Sequence, residues 1–270
     1  MRILPIMFLV FGQTISAFAG QPILHELQTA DEAKVWQGVG RINMKSIGFC
    51  TGALIAPDLV LTAAHCVFNP RTGTLIKPEK IEFLAGWRDG RAGARRKARR
   101  IVVHKKYVPS RKIKVETVAN DIALIELELP ITTNFIKPFD YHKSPKTGDN
   151  VEVVSYAKGR TEAPSIEKSC HVIGVDPRAL VLTCNVDFGA SGSPIFIIEN
   201  GVPKIASVVS AKAVMGGRKV ALGATLGAPL EELLTQIHAD RGVFHRKKPS
   251  HKSIAEQLGM ARSVAKILRP

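Results

Sequence analysis

Three residues of this chain have the types and settings that nucleophilic chemistry needs. His65 stands in Thr62-Ala63-Ala64-His65-Cys66-Val67, Asp121 in Ala119-Asn120-Asp121-Ile122, and Ser191 in Gly189-Ala190-Ser191-Gly192-Ser193. A serine hydroxyl becomes a nucleophile when a base takes its proton. Imidazole suits that task because it titrates near neutrality. A carboxylate can hold the ring in one tautomer and stabilise the imidazolium that forms. Taken singly, each has an ordinary reading: a hydrogen-bonded loop histidine, a turn or cap aspartate, a Gly-Ser surface turn. Gly189 and Gly192 allow a tight turn in which backbone N–H groups converge. No Gly-Lys-Ser/Thr tail follows, so the turn is not a phosphate-binding loop of that kind.

The elements that must position these residues read as strands. Short apolar runs at 36–42, 49–55, 59–63, 81–85, 100–104 and 122–127 are separated by turn signals such as Pro57-Asp58. Residues 128–148 carry Pro130, Pro138, Pro145 and Gly148 and read as a connection. The pattern restarts at 151–156, 171–175, 179–184, 194–198, 205–210 and 220–225. Two sets of about six strands predict an all-β fold of two closed six-stranded antiparallel barrels, since closure removes exposed sheet edges. The first spans 35–135 and the second 136–228. A helix is predicted over 229–238, from its proline start, early acids and apolar stripe. Residues 20–34 are a mixed N-terminal segment with room for a helical turn. Residues 239–270 form a basic tail with an amphipathic candidate helix at 253–268.

At the N-terminus, Arg2 precedes an apolar run that closes on Ala17-Phe18-Ala19. This predicts a signal peptide over 1–19 and an exported protein, periplasmic or extracellular. No transmembrane segment is expected after its removal. Four cysteines, Cys50, Cys66, Cys170 and Cys184, allow three pairings. Export makes bridges plausible, whereas zinc is the competing use, without a C-x-x-C spacing. Lys and Arg number 38 against 23 Asp and Glu, a net charge of +15. Much of it sits in Arg95-Arg96-Lys97-Ala98-Arg99-Arg100 and His245-Arg246-Lys247-Lys248. Such runs serve as solvated loops or as contacts for anionic envelope components. With aromatics at 6%, stacking platforms are few, and no dedicated nucleic-acid site is predicted.

The segment Phe49 to Pro57 with Leu61-Thr62-Ala63-Ala64-His65-Cys66-Val67 resembles the first signature of chymotrypsin-like serine proteases. Ala119-Asn120-Asp121-Ile122-Ala123-Leu124-Ile125 resembles their acid signature, and Gly189 to Ile195 their nucleophile signature in its bacterial exported form. The resemblance covers roughly residues 35–238 in the family's order, His, Asp, Ser. It implies a serine endopeptidase acting on protein or peptide substrates through an acyl-enzyme, without cofactor or metal. His65, Asp121 and Ser191 would form the triad, and the amides of Gly189 and Ser191 the oxyanion hole. Ser210 would support the aspartate. Cys50 and Cys66 match the bridge beside the catalytic histidine, and Cys170 and Cys184 look like a pair in the second barrel.

The departures are as informative. Ala190 replaces the aspartate that binds a freed N-terminus in animal-type members, and the usual Ile-Val-Gly-Gly start is missing. The substrate pocket would involve Asn185, Phe188 and Lys212. Asn185, at the pocket base, has no charge to pair with Arg or Lys. Lys212, in place of a glycine at the entrance, could favour an acidic side chain. The alternative function is a weakly active or inactive binding protein of the cell envelope, built on the protease fold with a basic surface.

Overall fold

The structure, a computed structural model, describes residues 24–110, 115–142, 145–176 and 179–241. The expected signal peptide and the tail helix at 253–268 lie outside these residues.

The first barrel is built from β2 (Val39–Met44), β3 (Gly48–Ala56), β4 (Leu59–Thr62), β5 (Ile81–Ala85), β6 (Ala94–Val103) and β7 (Ala123–Leu127). All pairings are antiparallel, and the order β2-β3-β4-β7-β6-β5 closes on itself. Val39, Leu54, Val60, Phe83, Leu124 and Ile125 fill it and are fully buried. Pro57-Asp58 turns β3 into β4, and its carbonyls hold the outgoing chain: Ile131 N donates to Pro57 O at 2.7 Å and Leu127 N to Asp58 O at 2.8 Å.

The second barrel uses β8 (Asn150–Ala157), β9 (Arg160–Asp176), β10 (Ala179–Leu182), β11 (Pro194–Glu199), β12 (Val202–Met215) and β13 (Arg218–Thr225). The order β9-β10-β13-β12-β11-β8 closes through a β8–β9 pairing, and β1 (His25–Glu26) adds to β9 as an outer strand. Val151, Val172, Leu180, Leu182, Ile195 and Val209 form its separate core. The proline-bearing connection is packed between the barrels: Phe139 stacks with Phe196 at 4.8 Å between ring centroids, and Trp36 with Phe196 at 5.0 Å.

Four strand details differ from the sequence reading. β9 begins at Arg160, not 171, because its first half mixes polar residues such as Ser165 and Glu167 with buried Ala163 and Ile166 and so lacks an apolar strand period. β12 and β13 extend into a hairpin at Gly216–Gly217, both at positive φ; its Lys and Arg residues hid the strand period. The expected strand at 36–42 starts later, after α1 (Ala30–Ala33) and a 3-10 turn. The run 95–100, read as a loop, lies inside β6. There Arg100 turns inward, bonding the buried Glu126 at 2.9 Å and the carbonyl of Ile237 at 2.8 Å.

That carbonyl belongs to α3 (Gly227–Arg241), the C-terminal helix, longer than the predicted 229–238. Leu230, Leu233 and Ile237 are buried on its inner face, the i, i+3, i+7 spacing of a docked helix. A Lys105–Glu232 ion pair at 3.0 Å closes its edge. No helix among the described residues is long and apolar enough to cross a membrane.

Candidate active site

His65 follows β4 on a 3-10 turn, Ala64–Val67. Cys66, in the same turn, is bridged to Cys50 on β3, so the turn is tied to the barrel wall. Closing a loop of this length contributes about 3 kcal/mol. Both sulfurs of the Cys50, Cys66 and His65 cluster, whose atoms meet, are thus in the disulfide. Cys170 and Cys184 form the second bridge.

Asp121 lies between α2 (Val115–Ala119) and β7. Its carboxylate is 3% exposed. One oxygen accepts the His65 backbone N–H at 2.8 Å. The other accepts from His65 Nδ1 at 2.7 Å and from Ser210 Oγ at 2.5 Å. Nδ1 is therefore the protonated nitrogen, and Nε2 is left with its lone pair. Burial disfavours the imidazolium, but the charge and hydrogen bond of Asp121 outweigh it and hold the His65 pKa above its usual value. The Tyr107 hydroxyl is pushed upward, first by burial and then by the Asp121 charge.

Ser191 comes from the other barrel, on the turn before β11. Thr51 of β3 joins the two. Its amide donates to Ser191 O at 2.9 Å and its hydroxyl to Gly189 O at 2.9 Å, while the hydroxyl accepts from Tyr156 N at 3.0 Å. Gly189 and Gly192 have φ of +94° and +76°. A Cβ on Gly192 would lie 2.1 Å from Thr62 Oγ1 and 2.4 Å from Thr51 O. On Gly189 it would lie 2.4 Å from the Phe49 ring. Glycine is thus required twice over, by conformation and by space.

The loop amides divide into two groups. Phe188 N bonds Asp187 Oδ1, Ala190 N bonds Asp187 O, Gly192 N bonds Val209 O and Ser193 N bonds Ala190 O. Among the described residues no hydrogen bond uses the amides of Gly189 or Ser191. Nor does one join Ser191 Oγ to His65 Nε2. The structure brings His65, Asp121 and Ser210 into one hydrogen-bonded unit, with Ser191 on the adjoining loop.

Asn185 and Phe188 lie on the nucleophile loop, and Lys212 lies on β12. Asn185 and Phe188 are exposed, Phe188 at 71%. Lys212 Nζ lies 3.0 Å from Asp187 Oδ1 and 4.8 Å over the Phe188 ring. The Lys212 hydrogen bond, then the Phe188 amide, hold Asp187 below the usual carboxylate range. Sequence reasoning did not identify Asp187 as the partner of Lys212. It missed Thr51 as the inter-barrel strut and Glu167 as a buried group. Thr51 sits beside Cys50 in a recognised motif, a usable signal; an acid in a strand gives none.

The sequence pattern described as Trypsin matches residues 27–225. The chain belongs to the trypsin family of serine proteases. Its trypsin-family relatives include Trypsin Blo t 3 of Blomia tropicalis, 28% identical over 67% of this chain and 66% of that protein. Serine protease SP24D of Anopheles gambiae is 36% identical over 33% of this chain and 30% of its own length. Glutamyl endopeptidase of Bacillus licheniformis is 27% identical over 56% of this chain and 46% of its own. The chain thus spans under two thirds of the length of these curated relatives. Among solved structures, a Glu endopeptidase in complex with MPD superposes with a TM-score of 0.64 at 21% identity, covering 82% of this chain and 98% of that one. The two-barrel architecture with its C-terminal helix is the chymotrypsin-like fold.

Proposed function

We propose that this trypsin-family chain is a serine endopeptidase that hydrolyses peptide bonds through an acyl-enzyme, with His65, Asp121 and Ser191 as its triad. The observation that carries the reading is the His65–Asp121–Ser210 hydrogen-bond unit facing the glycine turn of Ser191. His65 Nε2 takes the proton of Ser191 Oγ as the oxygen attacks the scissile carbonyl. Asp121 stabilises the imidazolium. The Gly189 and Ser191 amides, unused elsewhere in the described loop, receive the developing oxyanion. His65 then passes its proton to the leaving amine, and water reverses the sequence to free Ser191. The His65–Ser191 hydrogen bond closes when substrate docks, as catalytic contacts that are loose without ligand commonly do.

Specificity follows from the Lys212–Asp187 pair. Lys212 is held by a side chain of the protein's own, Asp187, and an acidic substrate side chain exchanges for it. The likeness to a glutamyl endopeptidase supports this acidic preference. The protein is exported, the two disulfides fitting an oxidising compartment, and the outward-facing Arg95, Lys97 and Arg99 of β6 offer contact to anionic envelope components. Cleavage-site mapping on casein tests activity and preference together. Cuts after Glu or Asp that vanish in Ser191→Ala are expected, with the acidic preference lost in Lys212→Met. Cuts after Arg or Lys would overturn the specificity, and no Ser191-dependent cuts would overturn the activity.

A further inference from the structure

The first half of β9 carries a cluster of buried polar side chains that the triad does not use. Glu167 of β9 is 1% exposed. Both its oxygens accept the backbone amide of Asn185, at 2.9 and 3.1 Å. Arg160, half-buried at the start of β9, reaches Ser155 Oγ at 3.4 Å. Ser165, two residues before Glu167, is buried with no hydrogen-bond partner for its hydroxyl. The charge that acts on Glu167 is Arg160, which also feels the exposed Asp187 of the nucleophile loop and Glu26 of β1.

A buried carboxylate is unfavourable unless it has a countercharge and donors. A neutral acceptor would satisfy one amide at less cost, so the charge at this position calls for a use. Asn185 begins the loop that ends at Ser191. The far end of that loop is fixed by Thr51 and Val209. Near its start, the loop is tied to the barrel wall by the Cys170–Cys184 disulfide and by the bond from Asn185 N to Glu167, and midway Lys158 N donates to Phe188 O at 2.7 Å. At 190, a fully buried alanine methyl offers no charge to fix the loop from within.

We propose that Glu167 is a positioning residue for the nucleophile: its buried carboxylate draws the Asn185 amide inward and so sets the path of loop 185–191 and the aim of the Gly189 and Ser191 amides. The catalytic part of this inference rests on the protease reading above; the anchoring part does not. Burial pushes the Glu167 carboxyl up to about 7, against the pull of the Asn185 amide and Arg160. The anchor is therefore at full charge only above that pH.

Hydrogen exchange of loop 185–193 in the full chain, read beside fluorophosphonate labelling, tests the anchor. In Glu167→Ala the loop's exchange, normalised for intrinsic rates, should quicken about tenfold and labelling slow about tenfold, the scale of one charge-assisted hydrogen bond. The strands of the first barrel should keep their protection. Glu167→Gln retains an acceptor and should restore both readouts to within about threefold. It should also abolish the step in loop protection that the wild type shows near pH 7. If Glu167→Ala does not fold, the Glu167→Gln pH comparison decides. Unchanged loop exchange in Glu167→Ala, equal loss across both barrels, or a pH step that survives Glu167→Gln would overturn the proposal. Wild-type protein that fails to label but shows the expected loop exchange would sink the protease reading and leave the anchor standing.

Discussion

Asp121 holds three hydrogen bonds at once, from the His65 amide, the His65 ring and the Ser210 hydroxyl. With both Asp121 oxygens engaged by His65 and Ser210, the imidazole has one orientation. Because Asp121 holds the His65 pKa above its usual value, the neutral base is lost on acidification sooner than for a free histidine. The rate of substrate cleavage should therefore fall as pH drops through a midpoint above about 6.5. Asp121→Asn should lower that midpoint and cut the rate about ten-thousand-fold. A wild-type midpoint below the free-histidine value would contradict the assignment. The linked effect on stability has a fixed sign. The raised His65 value contributes stability that is fully present below the unfolded pKa and is lost as pH rises through the folded one. Ser210→Ala should slow cleavage about tenfold, the worth of one hydrogen bond to a charge.

The elements around the site are held by contacts that span the two barrels. Thr51 is the clearest case, since its hydroxyl serves Gly189 O and Tyr156 N together. Thr51→Val keeps the shape and orphans the buried Tyr156 amide. It should destabilise the protein by about 1–3 kcal/mol, measured by denaturant unfolding, and displace the nucleophile turn. Gly192→Ala should be as severe, since a methyl there meets Thr62 and Thr51 and the backbone is left-handed. Normal stability in both variants would show that the turn can shift at little cost. At this scale the sequence was legible where strands are short, largely apolar buried runs, as at β4, β7 and β11, and where a motif names its own neighbours, as around His65 and Ser191. It was opaque where polar residues sit in strands. β6 hid behind its arginines, because one of them, Arg100, is a half-buried tie to the buried Glu126 and to α3. The first half of β9 hid behind Glu167 and its serines, because burial of an acid depends on Arg160 and Asn185, which no local pattern reveals.

For the whole molecule, the two barrels have separate cores and meet along an aromatic seam of Trp36, Phe139 and Phe196. The acid–base pair lies on one barrel and the nucleophile on the other, so the chemistry depends on how they dock. The C-terminal helix braces the first barrel from behind. Leu230, fully buried, should cost about 2–5 kcal/mol when changed to Ala, read by thermal unfolding, whereas a loss below about 0.5 kcal/mol would mean the helix is dispensable. The central claim is that the barrels meet so that Ser191 is an activated nucleophile. Reaction of the folded protein with a fluorophosphonate probe tests it most directly. The account predicts one covalent adduct, mapped to Ser191, formed faster as pH rises and absent in Ser191→Ala and His65→Ala. A folded wild-type protein that takes up no probe, or takes it up at another residue, would contradict it.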